Sequence, residues 1–299
     1  MAIISDRAVP VDDVSRFYEN DREIRVAMLR LDQIDPVISG NKWFKLKHNL
    51  EAAISQGYQQ ILTFGGAYSN HLIAAAAAGQ RAGLQSVGIV RGFHGQQQLS
   101  STLRSCMDHG MTLHFVSRET YVLKNEPDYL AQLSATFGAA YVIPEGGDND
   151  AGRKGSEEIA AWIPGDCTHV CLPVGTGTTF SGVRNALNVQ IAMTGFTAMK
   201  GGQYLAAEIG EHIQTAQNDN WQLEDHFHFG GFAKTTSELT TFIRDFHAAT
   251  NIPLDIVYTG KMMFGIRQLI SDGYFPRKTN LCCIHTGGLQ GNPAGLFDV

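Results

Sequence analysis

Three segments carry side chains whose types and spacing suit chemistry on a small anionic molecule. Ser39-Gly40-Asn41-Lys42-Trp43-Phe44-Lys45-Leu46-Lys47 sets Lys42 and Lys45 three residues apart behind a glycine turn, on one face if the segment is helical. Pro173-Val174-Gly175-Thr176-Gly177-Thr178-Thr179-Phe180-Ser181-Gly182 follows an apolar run and precedes a helical one. There, glycines let backbone amides approach an anion, threonine hydroxyls add donors, and the next helix contributes its positive end. Phe64-Gly65-Gly66-Ala67-Tyr68-Ser69-Asn70-His71 opens an alanine-rich helix with Ser69 at the cap position, a receptor suited to a carboxylate. An amine, an anion cup and a carboxylate receptor are the parts required for imine chemistry with a phosphorylated aldehyde. Taken singly, each loop also reads as a capped turn and the lysines as surface residues; the set gives Lys42 a role.

Two better-known phosphate motifs do not fit. Gly182 arrives two residues late for G-x-G-x-x-G, and Arg153 separates Gly152 from Lys154 in the one near match to the Walker pattern. A nucleotide-dependent oxidoreductase would in any case leave Lys42 idle. A fourth segment, Asp255-Ile256-Val257-Tyr258-Thr259-Gly260-Lys261, reads as a strand end presenting an exposed tyrosine and a threonine, and His285-Thr286-Gly287-Gly288 follows the last apolar run. His226 and His228 alternate as along a strand with no third ligand at metal spacing, so no metal site is expected.

These loops need elements to hold them. Short apolar runs alternate with helix-length amphipathic ones from Gln59 onward: Gln60–Phe64, Ser86–Val90, Thr112–Val116, Ala140–Ile143, His169–Pro173, Leu254–Val257 and Leu281–Ile284, with further strands near Phe196 and within Gln222–Phe229. Several are continuously apolar, as burial on both faces of a parallel sheet requires. The expectation is an α/β chain with doubly wound, mostly parallel sheets, whose ligands bind beyond the carboxyl ends of the strands. The alanine-rich helix should run from about Asn70 to Arg81.

A formal net charge of -6 offers no positive field, which argues against nucleic acid or an anionic membrane surface as partner. The five cysteines are odd in number, lack a C-x-x-C and fall mostly in apolar runs, so buried thiols are expected. The opening residues do not read as a leader and no apolar stretch reaches bilayer length, so a cytoplasmic protein is expected.

In order along the chain, GNKWFK, GGAYSNH, IPEGG, GTGTT, VYTGK and HTGG resemble the 1-aminocyclopropane-1-carboxylate deaminase and D-cysteine desulfhydrase family, within the tryptophan synthase β-like fold of pyridoxal phosphate enzymes. The resemblance implies two lobes with the cofactor in the cleft, a large discontinuous cofactor-binding domain of residues 1–45 and 150–299, a small substrate-closing domain of residues 46–149, and a homodimer acting on a small amino acid. By position it implies Lys42 as the imine-forming lysine and Asn41 as partner of the ring's phenolic oxygen. Lys45 with Gly175, Thr176, Gly177, Thr178 and Thr179 would form the phosphate cradle, and Thr259 would face the pyridine nitrogen. Ser69, Asn70, His71 and Tyr258 would meet substrate, with Lys42, Tyr258 and Ser69 carrying catalysis. The chain departs from the deaminase pattern in three places: Thr259 replaces a glutamate, Phe229 stands where a second tyrosine is needed, and His71 replaces a glutamine. Opening a cyclopropane ring needs more acid–base help than β-elimination. The resemblance therefore implies α,β-elimination of the D-cysteine desulfhydrase type, to pyruvate, ammonia and sulfide. The alternatives are ring opening to 2-oxobutanoate and ammonia, or cofactor binding without turnover.

Overall fold

The computed structural model describes residues 4, 9–214 and 219–297. By contacts the chain divides into two compact units, one of Met1–Asp6 with Asp35–Gly155, the other of Arg7–Ile34 with Ser156–Val299. Asn41–Ser55 is one uninterrupted helix that packs on the helix Asn70–Arg81.

Among the described residues ten strands run in chain order: β1 (Val11–Asp13), β2 (Arg25–Leu29), β3 (Gln60–Gly65), β4 (Gln85–Arg91), β5 (Met111–Val116), β6 (Tyr141–Ile143), β7 (His169–Val174), β8 (Ala192–Thr197), β9 (Trp221–Glu224) and β10 (Asn280–Ile284). In the 35–155 unit a four-stranded, all-parallel sheet has the order β5-β4-β3-β6. Its chain moves outward from β3 through β4 to β5 and returns to the other side of β3 as β6. The strand order therefore reverses between β3 and β6, and in open α/β sheets such a reversal opens a crevice beyond the carboxyl ends. The loops there are Gly65–Ser69 and Pro144–Gly147. The 156–299 unit repeats the device in a six-stranded sheet of order β1-β2-β10-β7-β8-β9, parallel except for β1. Its reversal lies between β7 and β10, next to 175–179 and 285–288.

Each unit has its own core. Leu62, Phe64, Val87 and Ile89 from β3 and β4 pack with Tyr121, Tyr129 and Leu133 in one. Phe242, Phe246, Met262, Ile266, Phe275 and Leu281 anchor the other. The helix Asn70–Arg81 buries its whole run Leu72–Ala78, the shortest side chains with the highest helix propensity allowing close approach to the sheet. All five cysteines are free and buried, as their apolar neighbours imply.

Two expectations about elements are corrected. Leu254–Val257 is not a strand but leads into a turn, because side chains take its amides in place of a ladder: Asp255 N–H goes to Thr259 Oγ1, Ile256 N–H to Asn292 Oδ1 and Val257 N–H to Asp255 Oδ1. His226 and His228 lie beyond β9, whose pairing with β8 ends at Glu224. The sequence reading also passed over β1 and β2; β2 is short and charged at its start, and is fixed by parallel pairing with β10.

Candidate active site

In the 35–155 unit, Gly40 takes φ 67° and ψ -146° ahead of the helix Asn41–Ser55. Asn41 is buried, and its Oδ1 accepts a hydrogen bond from Lys42 Nζ at 2.7 Å. Lys45, one turn on and 4% exposed, is held well below the usual lysine range by burial, with the Lys42 charge adding and Asp148 opposing. A buried amine whose proton is disfavoured in this way gains from a neighbouring anion.

Ser69 caps the helix Asn70–Arg81, its Oγ accepting from Leu72 N–H at 3.2 Å. His71, on the first turn, is 3% exposed. Its Nε2 lies 2.9 Å from Thr63 Oγ1 on β3, and Thr63 Oγ1 donates to Ile143 O on β6 at 2.8 Å. Burial lowers the His71 pKa to about 3, and Lys42 and Lys45 push it the same way. Gly147, with φ +69°, brings the post-β6 turn against both groups: a Cβ there would lie 3.0 Å from Lys45 Cβ and 3.5 Å from His71 Cε1. Three of the motifs, GNKWFK, GGAYSNH and IPEGG, thus meet at this sheet's reversal. Asn70 Oδ1 and His71 Nδ1 are buried without a hydrogen-bond partner among the described residues.

In the 156–299 unit, β7 runs into Gly175 and the helix Thr178–Ala186, whose cap residue Gly177 has φ +82°. An alanine at Gly177 would need a left-handed conformation, with its Cβ 2.6 Å from Ile209 Cγ1. Thr176 Oγ1 and Thr178 Oγ1 are 2.7 Å apart, and Thr178 and Thr179 are buried. The Tyr258 ring stands over this turn: a Cβ on Gly175 would lie 3.5 Å from its hydroxyl oxygen. Tyr258 is half-buried rather than exposed and packs edge-on against Phe232. Thr259, fully buried, donates its hydroxyl proton to Asp255 Oδ2 at 2.6 Å and accepts from the Asp255 N–H at 2.9 Å. Lys261 is 2% exposed and gives its ammonium to the carbonyls of His228 and Gly231 at 2.9 and 2.8 Å. Burial lowers its pKa to about 8, against the opposing pull of Asp255. His285 Nε2 meets Pro253 O at 2.8 Å, and its Nδ1 accepts from Gly287 N–H at 3.2 Å. Phe229, with φ 53°, turns its ring edge-on to Phe264 at 4.9 Å, on the core.

Sequence reasoning missed Asp255 and Thr63. An aspartate after Pro253 and a few residues ahead of a helix is a readable Asx-turn signal. A lone threonine in a strand carries none. Among the described residues, Glu224, Asp225 and His226 bring three metal-type ligand atoms together, but His226 is on the surface and its ring is engaged by Glu224 at 2.5 Å.

In the 156–299 unit a glycine-bordered helix start with three threonines fits a phosphate monoester; in the 35–155 unit the half-buried Lys42, the buried Lys45 and two unsatisfied acceptors fit an amino acid and its anchoring amine.

The pattern of the family described as pyridoxal-phosphate dependent enzyme matches residues 16–287. A Pyrococcus horikoshii protein provisionally assigned as a 1-aminocyclopropane-1-carboxylate deaminase is 28% identical over 270 residues, covering 85% of this chain and 81% of its own. A D-cysteine desulfhydrase of Yersinia pestis is 28% identical over 310 residues, covering 94% and 91%. Among solved structures, one described as an ACC deaminase homologue superposes with a TM-score of 0.82 at 24% identity, over 97% of this chain and 91% of that one. No helix of the described residues is long and apolar enough to cross a membrane.

Proposed function

The chain belongs to the pyridoxal-phosphate dependent enzymes, and from that premise we propose that it is an α,β-eliminating lyase, converting D-cysteine or a similar small amino acid to pyruvate, ammonia and sulfide. Lys42 would anchor the cofactor through its amine and Asn41 would meet the ring oxygen. Lys45 and the turn Gly175, Thr176, Gly177, Thr178, Thr179 would take the phosphate, and Thr259 would face the ring nitrogen. When bound, pyridoxal 5′-phosphate supplies an electron-poor ring that accepts the electron pair left at the substrate α-carbon. Ser69, with the start of its helix, receives the substrate carboxylate. The Lys42 amine, released in its neutral form and oriented by Asn41 Oδ1, removes the α-proton. Tyr258 gives a proton to the departing thiolate, and water hydrolyses the released enamine to pyruvate and ammonia. The hydroxyl proton of Thr259 is committed to Asp255, so that position offers a lone pair and no charge.

The observation that carries elimination over ring opening is Phe229. Its ring sits on Phe264 and brings no hydroxyl, so the second acid–base group that ring opening requires is missing at that position. The Yersinia relative's name agrees with this reading. The 1–45 and 150–299 segments are proposed as the cofactor-binding domain and 46–149 as the substrate-closing one, in a cytoplasmic homodimer whose mass sedimentation would measure. Incubation with D-cysteine, L-cysteine, D-serine and the cyclopropane amino acid, followed by pyruvate and 2-oxobutanoate assays, tests the reaction. Pyruvate from D-cysteine, lost in Lys42→Ala, is expected. Absence of pyruvate from every β-substituted amino acid rejects the lyase, and 2-oxobutanoate from the cyclopropane substrate replaces it with the deaminase.

A further inference from the structure

Resting on the reading of Ser69–His71 as the substrate end of the site, we propose that His71 recognises substrate as a hydrogen-bond acceptor: its bare Nδ1 lone pair takes an O–H, S–H or N–H of the bound amino acid, and does not bind the carboxylate.

The argument is a proton count. A threonine hydroxyl has one proton, and Thr63 donates it to Ile143 O at 2.8 Å. At its 2.9 Å contact with His71 Nε2, the Thr63 oxygen must therefore accept, so Nε2 carries the hydrogen. A neutral imidazole has only one N–H, which leaves Nδ1 unprotonated. The ring stays neutral because it is buried, in a setting that disfavours cations as it does at Lys45, and Lys42 and Lys45 oppose a second ring proton further. The ring is held at Nε2 by Thr63, and only the absence of a side chain at Gly147, where a Cβ would come within 3.5 Å of Cε1, leaves room beside it. Exchanging the ring's two edges would set carbon against the threonine oxygen.

Nδ1 is thus a fixed, buried acceptor with no partner among the described residues. Buried acceptors without donors are unfavourable and rare, and are retained where a ligand supplies the donor. Asn70 Oδ1, one residue earlier, is a second buried acceptor in the same condition. Two adjacent acceptors point to donors on the ligand, and an ionised carboxylate has none to give. The carboxylate falls to Ser69 and the helix start, while His71 meets either the substrate amine or a β-substituent that ends in a thiol or hydroxyl.

Holoenzyme labelled with [15N]histidine gives the direct test. The resonance of His71 is assigned among the 11 histidines by its loss in His71→Gln. A protonated Nε2 with an unprotonated Nδ1 is expected at neutral pH, with the Nδ1 signal moving when D-serine binds. An Nδ1–H tautomer, an imidazolium, or an Nδ1 signal indifferent to ligand would overturn the proposal. Initial binding of D-serine, O-methyl-D-serine and D-alanine to wild type and His71→Leu separates the two donor sources. If the side chain donates, wild type prefers D-serine over its methyl ether by about tenfold, and His71→Leu erases that preference. If the amine donates, His71→Leu weakens all three ligands by about the same tenfold factor. Unchanged binding of all three sinks the assignment. The tautomer is read without turnover, so a failed pyruvate assay with this tautomer in place rejects the lyase and leaves the acceptor standing.

Discussion

At the β7/β10 reversal nearly every polar side chain is bonded to its own frame; at the β3/β6 reversal two buried acceptors are left over. Asp255 ties four donors of one turn, Lys261 spans two carbonyls, and His285 uses both ring nitrogens. Asn70 Oδ1 and His71 Nδ1 have no such use. The first arrangement is rigid, since satisfied networks specify one geometry, and suits the resident cofactor proposed above. The second leaves hydrogen-bonding capacity unmet, at a cost in stability that functional sites commonly carry, and suits the exchanging substrate proposed above.

The largest effect expected from this contrast is in the self-bonded turn. Asp255→Ala leaves the amides of 257–259 and the Thr259 hydroxyl without their common acceptor in a buried setting, and should lower stability by about 3–5 kcal/mol in denaturant unfolding. A loss below about 1 kcal/mol would show that the turn does not depend on this carboxylate.

A smaller effect concerns acid. The folded His71 pKa, about 3, lies below its ordinary 6.5, so on acidification the unfolded chain binds the proton first. Stability is therefore lost as pH falls below 6.5 and continues to fall toward 3, by about 2 kcal/mol at pH 5 from this residue alone. His169, lowered by burial to about 4, adds a similar slope in the other unit. His71→Gln should remove its own share and leave that of His169, as pH-dependent melting would show.

The smallest effect tests the cup. Gly177→Ala must hold a left-handed φ and press on Ile209, costing about 1–2 kcal/mol. The rise in Tm that inorganic phosphate is expected to give wild type should disappear in this variant. A full phosphate response there would remove the 175–179 turn as the anion site.

The alternation of apolar runs and helical segments sufficed to read β3 to β7 and β10 close to their observed limits, because a parallel strand buried on both faces needs a continuous apolar run whatever its neighbours. The glycine loops were legible for a similar reason: close backbone approach and left-handed turns leave few residue types available. Where local competition ruled, the reading failed, as at 254–257, where side chains took the amides in place of a sheet ladder.

The amino-acid sequence by itself determined the fold class, the ordered motifs and their resemblance, since these rest on local composition and spacing. Only the tertiary structure decided which motifs share a crevice, because the order of strands in a sheet is a long-range choice that no single segment contains. It also decided the protonation of His71, which depends on a threonine from one strand and a carbonyl from another, brought together only when β3 and β6 pair.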